Sequence, residues 1–294
     1  MKRYNDIIVF GDGLNDMGSW GKLTNNLYPP AHHGFYEGRW TNGKVWVEIV
    51  AEKLGLSLSL ANNFAMGGAT TGIFNINEPL KGALNLTEEI PVIGMLAQVH
   101  LALNSRKEIS ENTLIVLWAG GHDIGSYLDF GQPDVKAYPP AVNYLECINL
   151  LVNHGAKHFI IGTMPDMGKS PIYQNSDKEA MASQLCRELN EGLDEIINNQ
   201  KFQNIEFIKV DGNRIFAEVG ANPLKYGFKH YEPYLPFDII DFANPLRLTN
   251  LEVSNSIEGL DPDEFMNWWA VSASAKMHQI IANDLLSILN TQKG

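Results

Sequence analysis

Groups that can move a proton lie directly after two apolar runs of the sequence. Asp12 follows the run Ile7–Phe10, and His122 follows the run Thr113–Trp118. A histidine in such a place can act as a base for water, and its protonated ring can donate where negative charge develops. The carboxylates nearest to these groups along the chain are Asp12, Asp16 and Asp123. If both runs are parallel strands, their loops meet at one edge of a sheet, where ligands of such sheets bind.

The elements that must position these groups alternate between strand and helix patterns. The five strand candidates start at residues 7, 58, 114, 158 and 206. Segments with helical apolar spacing occupy Lys44–Leu56, Ile93–Asn104, Pro140–Gly155, Lys178–Asn198 and most of Phe265–Leu289. This alternation predicts an α/β protein, a three-layer αβα sandwich around a central, mainly parallel five-stranded sheet. Residues 220 to 262 are expected to form a long loop region, and we expect one domain over residues 1–294.

Five short motifs follow one another along the chain. Residues 10–18 read FGDGLNDMG, residues 38–46 GRWTNGKVW, residues 63–69 NFAMGGA, residues 118–123 WAGGHD and residues 164–171 MPDMGKSP. Short glycine motifs recur by chance, so one of them alone would carry little weight. Together and in this order, they resemble the blocks of the GDSL (SGNH) family of lipases and acylhydrolases, in particular its bacterial, thermolabile haemolysin-like branch.

The resemblance implies where a Ser-His-Asp ester hydrolase would keep its machinery. In the family, a serine of the first block attacks the ester carbonyl, a histidine takes its proton, and an aspartate orients that histidine. The serine amide, a glycine amide and an asparagine side chain hold the oxyanion. The positions of this chain that match the oxyanion donors are Gly13, Gly67 and His122.

Every catalytic position departs from the family pattern. Gly13 stands at the nucleophile position, and without a side chain it cannot form an acyl-enzyme. Residues 267–274 read NWWAVSAS and align without a gap to the last block, which places Trp269 at the triad aspartate and Ser272 at the triad histidine. His122 replaces the oxyanion asparagine. Because no single substitution accounts for all of these changes, we predict that the chain has lost Ser-His-Asp catalysis.

Two other side chains near the last block have more than one interpretation. His278 would need an aspartate at position 275 to act as a triad histidine, and that position is Ala275. We therefore interpret His278 as a structural residue that points at the core or bonds to the backbone. Trp269 either fills the old catalytic cavity or offers a stacking surface to a ligand.

Three functions remain open from the sequence. The first is a non-catalytic protein that binds a ligand, such as a small ester- or lipid-like molecule, or a protein partner. The second is a carboxylic-ester hydrolase with a rearranged site, in which His122 acts as the base. The third is an interaction partner of an active homologue. An open cavity at Gly13 would favour ligand binding, whereas a cavity plugged by Trp269 would favour a scaffold.

Composition narrows the classes of partner. The net charge of −12 disfavours nucleic acid and gives no attraction to anionic lipid. Cys147 and Cys186 are expected to be buried thiols, and no His, Cys, Asp or Glu spacing indicates a metal or another cofactor. No apolar run reaches the ~18 residues of a membrane span or resembles a signal-peptide core. We expect a soluble chain that is cytoplasmic, exported without a signal, or exported with the signal removed.

Overall fold

A computed structural model describes the chain over residues 3–86, 91–106, 108–131, 139–235, 259–269 and 272–291. Structural statements below refer to these residues. The expected loop region over residues 220 to 262 is described only in part, because residues 236–258 lie outside the described ranges.

Four parallel strands form the central sheet in the order β1-β2-β3-β4. They are Asp6–Gly11 (β1), Thr113–Trp118 (β2), His158–Gly162 (β3) and Glu206–Val210 (β4). The strand predicted from residue 58 differs, since the described residues place only a single parallel bridge there, between Asn63 and Val9. The reason is local, because the amides of Asn62 and Asn63 both donate to the Ser59 carbonyl and curl the chain before it can pair further.

Helices connect the strands and close the chain. They are Ser19–Thr24 (α1), Trp46–Leu54 (α2), Leu80–Ala83 (α3), Met95–Ser105 (α4), Gly121–Phe130 (α5), Pro140–Asn153 (α6), Glu179–Ile197 (α7), Gly212–Ala221 (α8) and Ala275–Thr291 (α9). The last helix begins later than its apolar pattern predicts. Residues before it pair instead as two short antiparallel strands, Asn267–Trp269 (β5) and Ser272–Ala273 (β6).

The central strands bury both of their faces. Ile7 and Val9 pack into an apolar layer with α2, α8 and α9, whereas Ile8 and Phe10 pack into a second layer with α4, α6 and α7. Successive strand side chains point to opposite faces, so a strand covered on both sides is apolar throughout. This arrangement confirms the predicted αβα sandwich.

Two further expectations concern the thiols and membrane spans. Cys147 in α6 and Cys186 in α7 are free and buried, as predicted. Burial raises the pKa of the Cys186 thiol to about 12, so it stays protonated at neutral pH. Within the described ranges, no helix combines the length and the apolar character needed to cross a bilayer.

A buried ion pair braces the segment that leads into α2. Arg39 donates through Nε and Nη2 to the two carboxylate oxygens of Glu48, each over 2.7 Å. The side chains of Arg39 and Glu48 are only 8% and 10% exposed. Glu48 also accepts the amide of Val45 over 3.0 Å. The pair therefore fixes the backbone on both sides of Trp40, which forms part of the site below.

Substitution of Glu48 tests this brace. We expect Glu48→Gln to lower the free energy of unfolding by about 3 kcal/mol, because it removes the buried carboxylate partner of Arg39 and leaves only the exposed carboxylate of Glu37, 3.3 Å from Nη1. Urea denaturation would measure the change. The matched control is Glu52→Gln, which breaks the exposed Lys44–Glu52 pair and should cost less than ~1 kcal/mol. Equal losses in the two variants would contradict the brace.

Candidate functional site

The loops at the carboxyl edge of the sheet surround a cavity of about 760 Å³. Gly13 follows β1, His122 follows β2, Met164 follows β3 and Asn213 follows β4, and all four line the cavity. Parallel strands present their carboxyl ends at one edge, which is why residues so distant in sequence meet here. The loops predicted to share one rim do share it.

The cavity also brings the degenerate catalytic positions together. Gly13, Trp269, Ser272 and His122 all contribute to its wall. Trp269 and Ser272 face each other across the antiparallel pair of β5 and β6. The positions that the resemblance assigns to the triad therefore lie together at this cavity, where Gly13 and Trp269 offer no hydroxyl, imidazole or carboxylate.

Trp40 covers the cavity wall around Gly13. A Cβ atom placed on Gly13 would lie 3.3 Å from Trp40 Cδ1, whereas one placed on Gly67 would lie only 1.9 Å from Trp40 Nε1. Gly67 must therefore remain a glycine, since the indole ring occupies the space of its side chain. Gly13 has a backbone outside the left-handed region, so a small side chain fits there after a minor shift of Trp40.

Trp269 packs into this wall and does not plug the cavity. Its ring stacks on Trp40 with the centroids 5.8 Å apart and the planes at 21°. Phe35 meets the same ring edge-on at 6.2 Å. Trp269 is 4% exposed, yet the cavity beside it stays open. The large ring is thus part of an aromatic wall.

The backbone donors differ from those expected. The Gly67 amide donates to Asp16 Oδ2 over 2.9 Å, so it is already used within the fold. The expectation that this amide could hold an oxyanion is corrected by that bond. By contrast, no described residue accepts a hydrogen bond from the amides of Gly13 and Gly68, and both residues line the cavity. Gly13 and Gly68 are therefore the backbone donors that a bound oxygen atom can use.

Asp12 is the carboxyl group on the cavity wall whose charge changes near neutral pH. Burial raises its pKa to about 7, and the charges of Asp123 and Asp16 add to the effect, against a hydrogen bond from the Leu14 amide. Burial also raises the pKa of Asp123 to about 6, although the amide and hydroxyl of Thr71 donate to it over 2.8 and 2.7 Å. Asp123 thereby fixes the backbone at Thr71, at the end of the loop that contains Gly67 and Gly68. Asp12 faces the cavity.

Both histidines of the wall are neutral at pH 7. Burial lowers the pKa of His122 to about 4 and that of His278 to about 3. His278 Nδ1 accepts the amide of Trp46 over 3.2 Å, which is the backbone bond that the sequence interpretation offered for it. No described residue makes a hydrogen bond with the ring of His122. Among the described residues, no three His, Cys, Asp or Glu side chains gather into a metal site.

The sequence interpretation missed part of the wall. Ser126 and Asp129 line the cavity together with His122. Asp129 accepts the Tyr173 hydroxyl over 2.8 Å and the Lys178 amine over 2.7 Å. A signal was present, because positions 122, 126 and 129 follow the i, i+4, i+7 spacing of one helix face. Trp40 belongs to the motif of residues 38–46, and nothing in that motif predicts that its ring lines the cavity.

Comparison with known proteins agrees with the motifs. The model of the GDSL-like Lipase/Acylhydrolase family matches residues 7–285. The chain is 27% identical over 289 residues to the thermolabile hemolysin of Vibrio parahaemolyticus, and the match covers 97% of this chain and 64% of that protein. It is 26% identical over 234 residues to the phosphatidylcholine-sterol acyltransferase of Aeromonas hydrophila, which covers 78% of this chain and 64% of the relative.

Among solved structures, a lipolytic protein of the G-D-S-L family from Veillonella parvula superposes with a TM-score of 0.49 at 14% identity, over 97% of this chain and 98% of that one. The chain spans a little under two thirds of the length of the two curated relatives named above. The family match extends over nearly all of the sequence, from the first strand into the last helix. The chain belongs to the GDSL-like lipase/acylhydrolase family.

Proposed function

We propose that this chain binds a small ester- or lipid-like ligand in the cavity and no longer performs Ser-His-Asp ester hydrolysis. One observation carries the proposal. The three positions that should hold the triad, Gly13, Trp269 and Ser272, line one open cavity and present neither a nucleophile with a partner base nor a carboxylate.

The loss of catalysis follows from the chemistry of these positions. Acyl transfer by this mechanism needs an attacking oxygen, a base that takes its proton and a group that orients the base. Gly13 supplies no oxygen, Ser272 is no base at neutral pH, and Trp269 has no negative charge. Removing one triad member from a serine hydrolase already costs orders of magnitude in rate, and here all three are absent.

The case for binding rests on the size and lining of the cavity. Its volume of about 760 Å³ falls within the range of roughly 300–1,000 Å³ that is usual for small-molecule sites. Trp40 and Trp269 form a continuous aromatic surface beside the unbonded amides of Gly13 and Gly68. An apolar wall with a few directed donors suits an acyl chain that carries a carbonyl oxygen. The name of one relative, a phosphatidylcholine-sterol acyltransferase, agrees with an acyl lipid.

Hydrolysis by a rearranged site around His122 is the less favoured function. A pKa of about 4 makes the imidazole a weak base for activating water at neutral pH, because an effective base has a pKa near the working pH. No carboxylate among the described residues hydrogen-bonds to the ring and orients it. His122 is better suited to lining the cavity as a neutral polar group.

Binding without turnover can be measured on the intact protein. We expect 1-monooctanoylglycerol to change the tryptophan fluorescence saturably, because Trp40, Trp118 and Trp269 line the cavity. We expect no release of p-nitrophenol from p-nitrophenyl butyrate above the buffer rate. Hydrolysis that His122→Ala abolishes would contradict the proposal and support the rearranged site.

Two tryptophan substitutions provide a matched pair for the binding site. Ala217 is exposed at the cavity mouth on α8, whereas Ala180 is exposed on α7 away from the cavity. We expect Ala217→Trp to weaken monooctanoylglycerol binding at least 5-fold by narrowing the mouth, and Ala180→Trp to leave it unchanged. Equal affinities in both variants would show that the ligand does not bind in this cavity and would contradict the proposal.

Restoring the nucleophile alone should not restore the enzyme. We expect Gly13→Ser to fold, since a Cβ there would lie 3.3 Å from Trp40 and at an ordinary contact distance of 3.6 Å from the Gly67 Cα, and to hydrolyse p-nitrophenyl butyrate no faster than the unmodified protein. The physical reason is that Ser272 and Trp269 cannot remove the proton from a new hydroxyl. A gain of 100-fold or more from this single change would show that the chain still holds a working base.

A further inference from the structure

The charges on the cavity wall are predominantly negative. The acidic residues among the described lining residues are Asp12, Asp129 and Asp166, and the basic residue among them is Lys169. His122 and His278 also line the cavity, but burial keeps both rings neutral at pH 7. The wall therefore carries more carboxylates than cations, in keeping with the net charge of −12 for the whole chain.

The two lysines close to this wall are already paired. Lys169 donates its amine to Glu179, and Lys178 donates to Asp129 over 2.7 Å. Asp166 accepts only uncharged donors, the amide of Gly168 over 3.0 Å and the hydroxyl of Ser183 over 2.6 Å. An anionic ligand would have to break one of these ion pairs to gain a side-chain cation from the described wall.

One feature of the wall does favour negative charge. The N-terminus of α5 adjoins the cavity through Gly121 and His122, and a helix N-terminus carries a partial positive charge of roughly half an elementary unit. Asp123 in the first turn of α5 offsets that charge, and Asp12 stands beside it on the cavity wall. Amide donors without a net positive charge suit a neutral oxygen acceptor better than an anion.

Building on the proposed function, we infer that the wall carboxylates Asp12 and Asp166 restrict the cavity to ligands without a net negative charge, so that it takes an intact ester or amide and rejects fatty acids and other anionic lipids. The fatty acid that ester hydrolysis would release is thereby a poor ligand. This selectivity fits a protein that holds an acyl compound without converting it, and it assigns a role to acidic residues that the degenerate triad does not explain.

The charge on Asp12 makes the selectivity depend on pH. The groups around its carboxyl are Asp16, Asp123, Tyr144 and His122. The pKa of Asp12 is raised to about 7, mainly by burial, so the group is largely neutral at pH 6 and ionised at pH 8. Tyr144, with its pKa raised well above the ordinary value, and His122 stay neutral over this range, whereas Asp123 ionises in the same direction near its pKa of about 6. Rising pH therefore adds negative charge to the wall.

Octanamide and octanoate form a matched pair of probes, because they differ in charge and little in shape. We expect the unmodified protein at pH 8 to bind octanamide at least 10-fold more tightly than octanoate, measured by tryptophan fluorescence. We expect octanoate affinity to fall between pH 6 and pH 8, where octanoate itself is ionised throughout, and octanamide affinity to stay constant. Octanoate binding as tight as octanamide binding at pH 8 would overturn the inference.

Substitutions on the wall make the test specific. Asp12→Asn keeps the acceptor for the Leu14 amide and should raise the ratio of octanoate affinity to octanamide affinity about 5-fold at pH 8. Asp166→Asn is a second variant with the same expected direction. The control Glu195→Gln changes the net charge equally at an exposed position of α7 and should change neither affinity. An increase of the same size in the control would assign the effect to overall charge and overturn the role of the wall.

The failure of this inference and that of the proposed function are distinguishable. If neither octanamide nor 1-monooctanoylglycerol binds saturably, ligand binding itself is refuted and the selectivity falls with it. If both neutral probes bind and octanoate binds equally well, the cavity binds ligands but does not select by charge, which refutes the selectivity alone.

Discussion

The site depends on the way one buried carboxylate holds two loops together. Asp16 accepts the amides of Gly18 and Ser19 through one oxygen and the amide of Gly67 through the other, over 2.7 to 2.9 Å. A buried carboxylate is costly unless such donors replace its hydration. The turn after β1 and the loop that contains Gly67 are therefore held at fixed positions relative to each other. Gly13 lies beside Gly67 as a result, and a Cβ atom placed on Gly13 would lie 3.6 Å from the Gly67 Cα.

The aromatic wall is built on that fixed pair of loops. Trp40 occupies the space where Gly67 lacks a side chain, and the Arg39–Glu48 pair holds the backbone beside it. Trp269 then stacks on Trp40. A tryptophan at position 269 is thus compatible with the fold because the neighbouring ring offers a surface of matching shape. The stacked ring leaves the cavity beside it open.

An open cavity at the carboxyl edge of the sheet links the fold to the proposed function. A degenerate site with no remaining use has no need for an empty volume, since apolar side chains could fill it and gain packing energy. Here the volume is bordered by amides that bond to no described residue and by the carboxylate of Asp166, which accepts the Gly168 amide and the Ser183 hydroxyl. Polar groups without partners cost free energy in an empty cavity. A neutral ligand that carries an acceptor atom would satisfy the amides without adding negative charge beside the carboxylate.

The sequence by itself determined the sandwich and the common rim of the loops, and it predicts the loss of the catalytic groups. Apolar runs such as Thr113–Trp118 predict strands covered on both faces, and an unbroken alignment of residues 267–274 identifies Trp269 and Ser272 at the triad positions. It did not predict that Asn63 would form a single bridge, or that β5 and β6 would delay the last helix. Only the tertiary structure decided that the Gly67 amide donates to Asp16 and that Trp269 stacks on Trp40 in the cavity wall. The physical reason is that hydrogen-bond partners and ring stacking depend on residues far apart in the chain, whose distances local patterns do not encode.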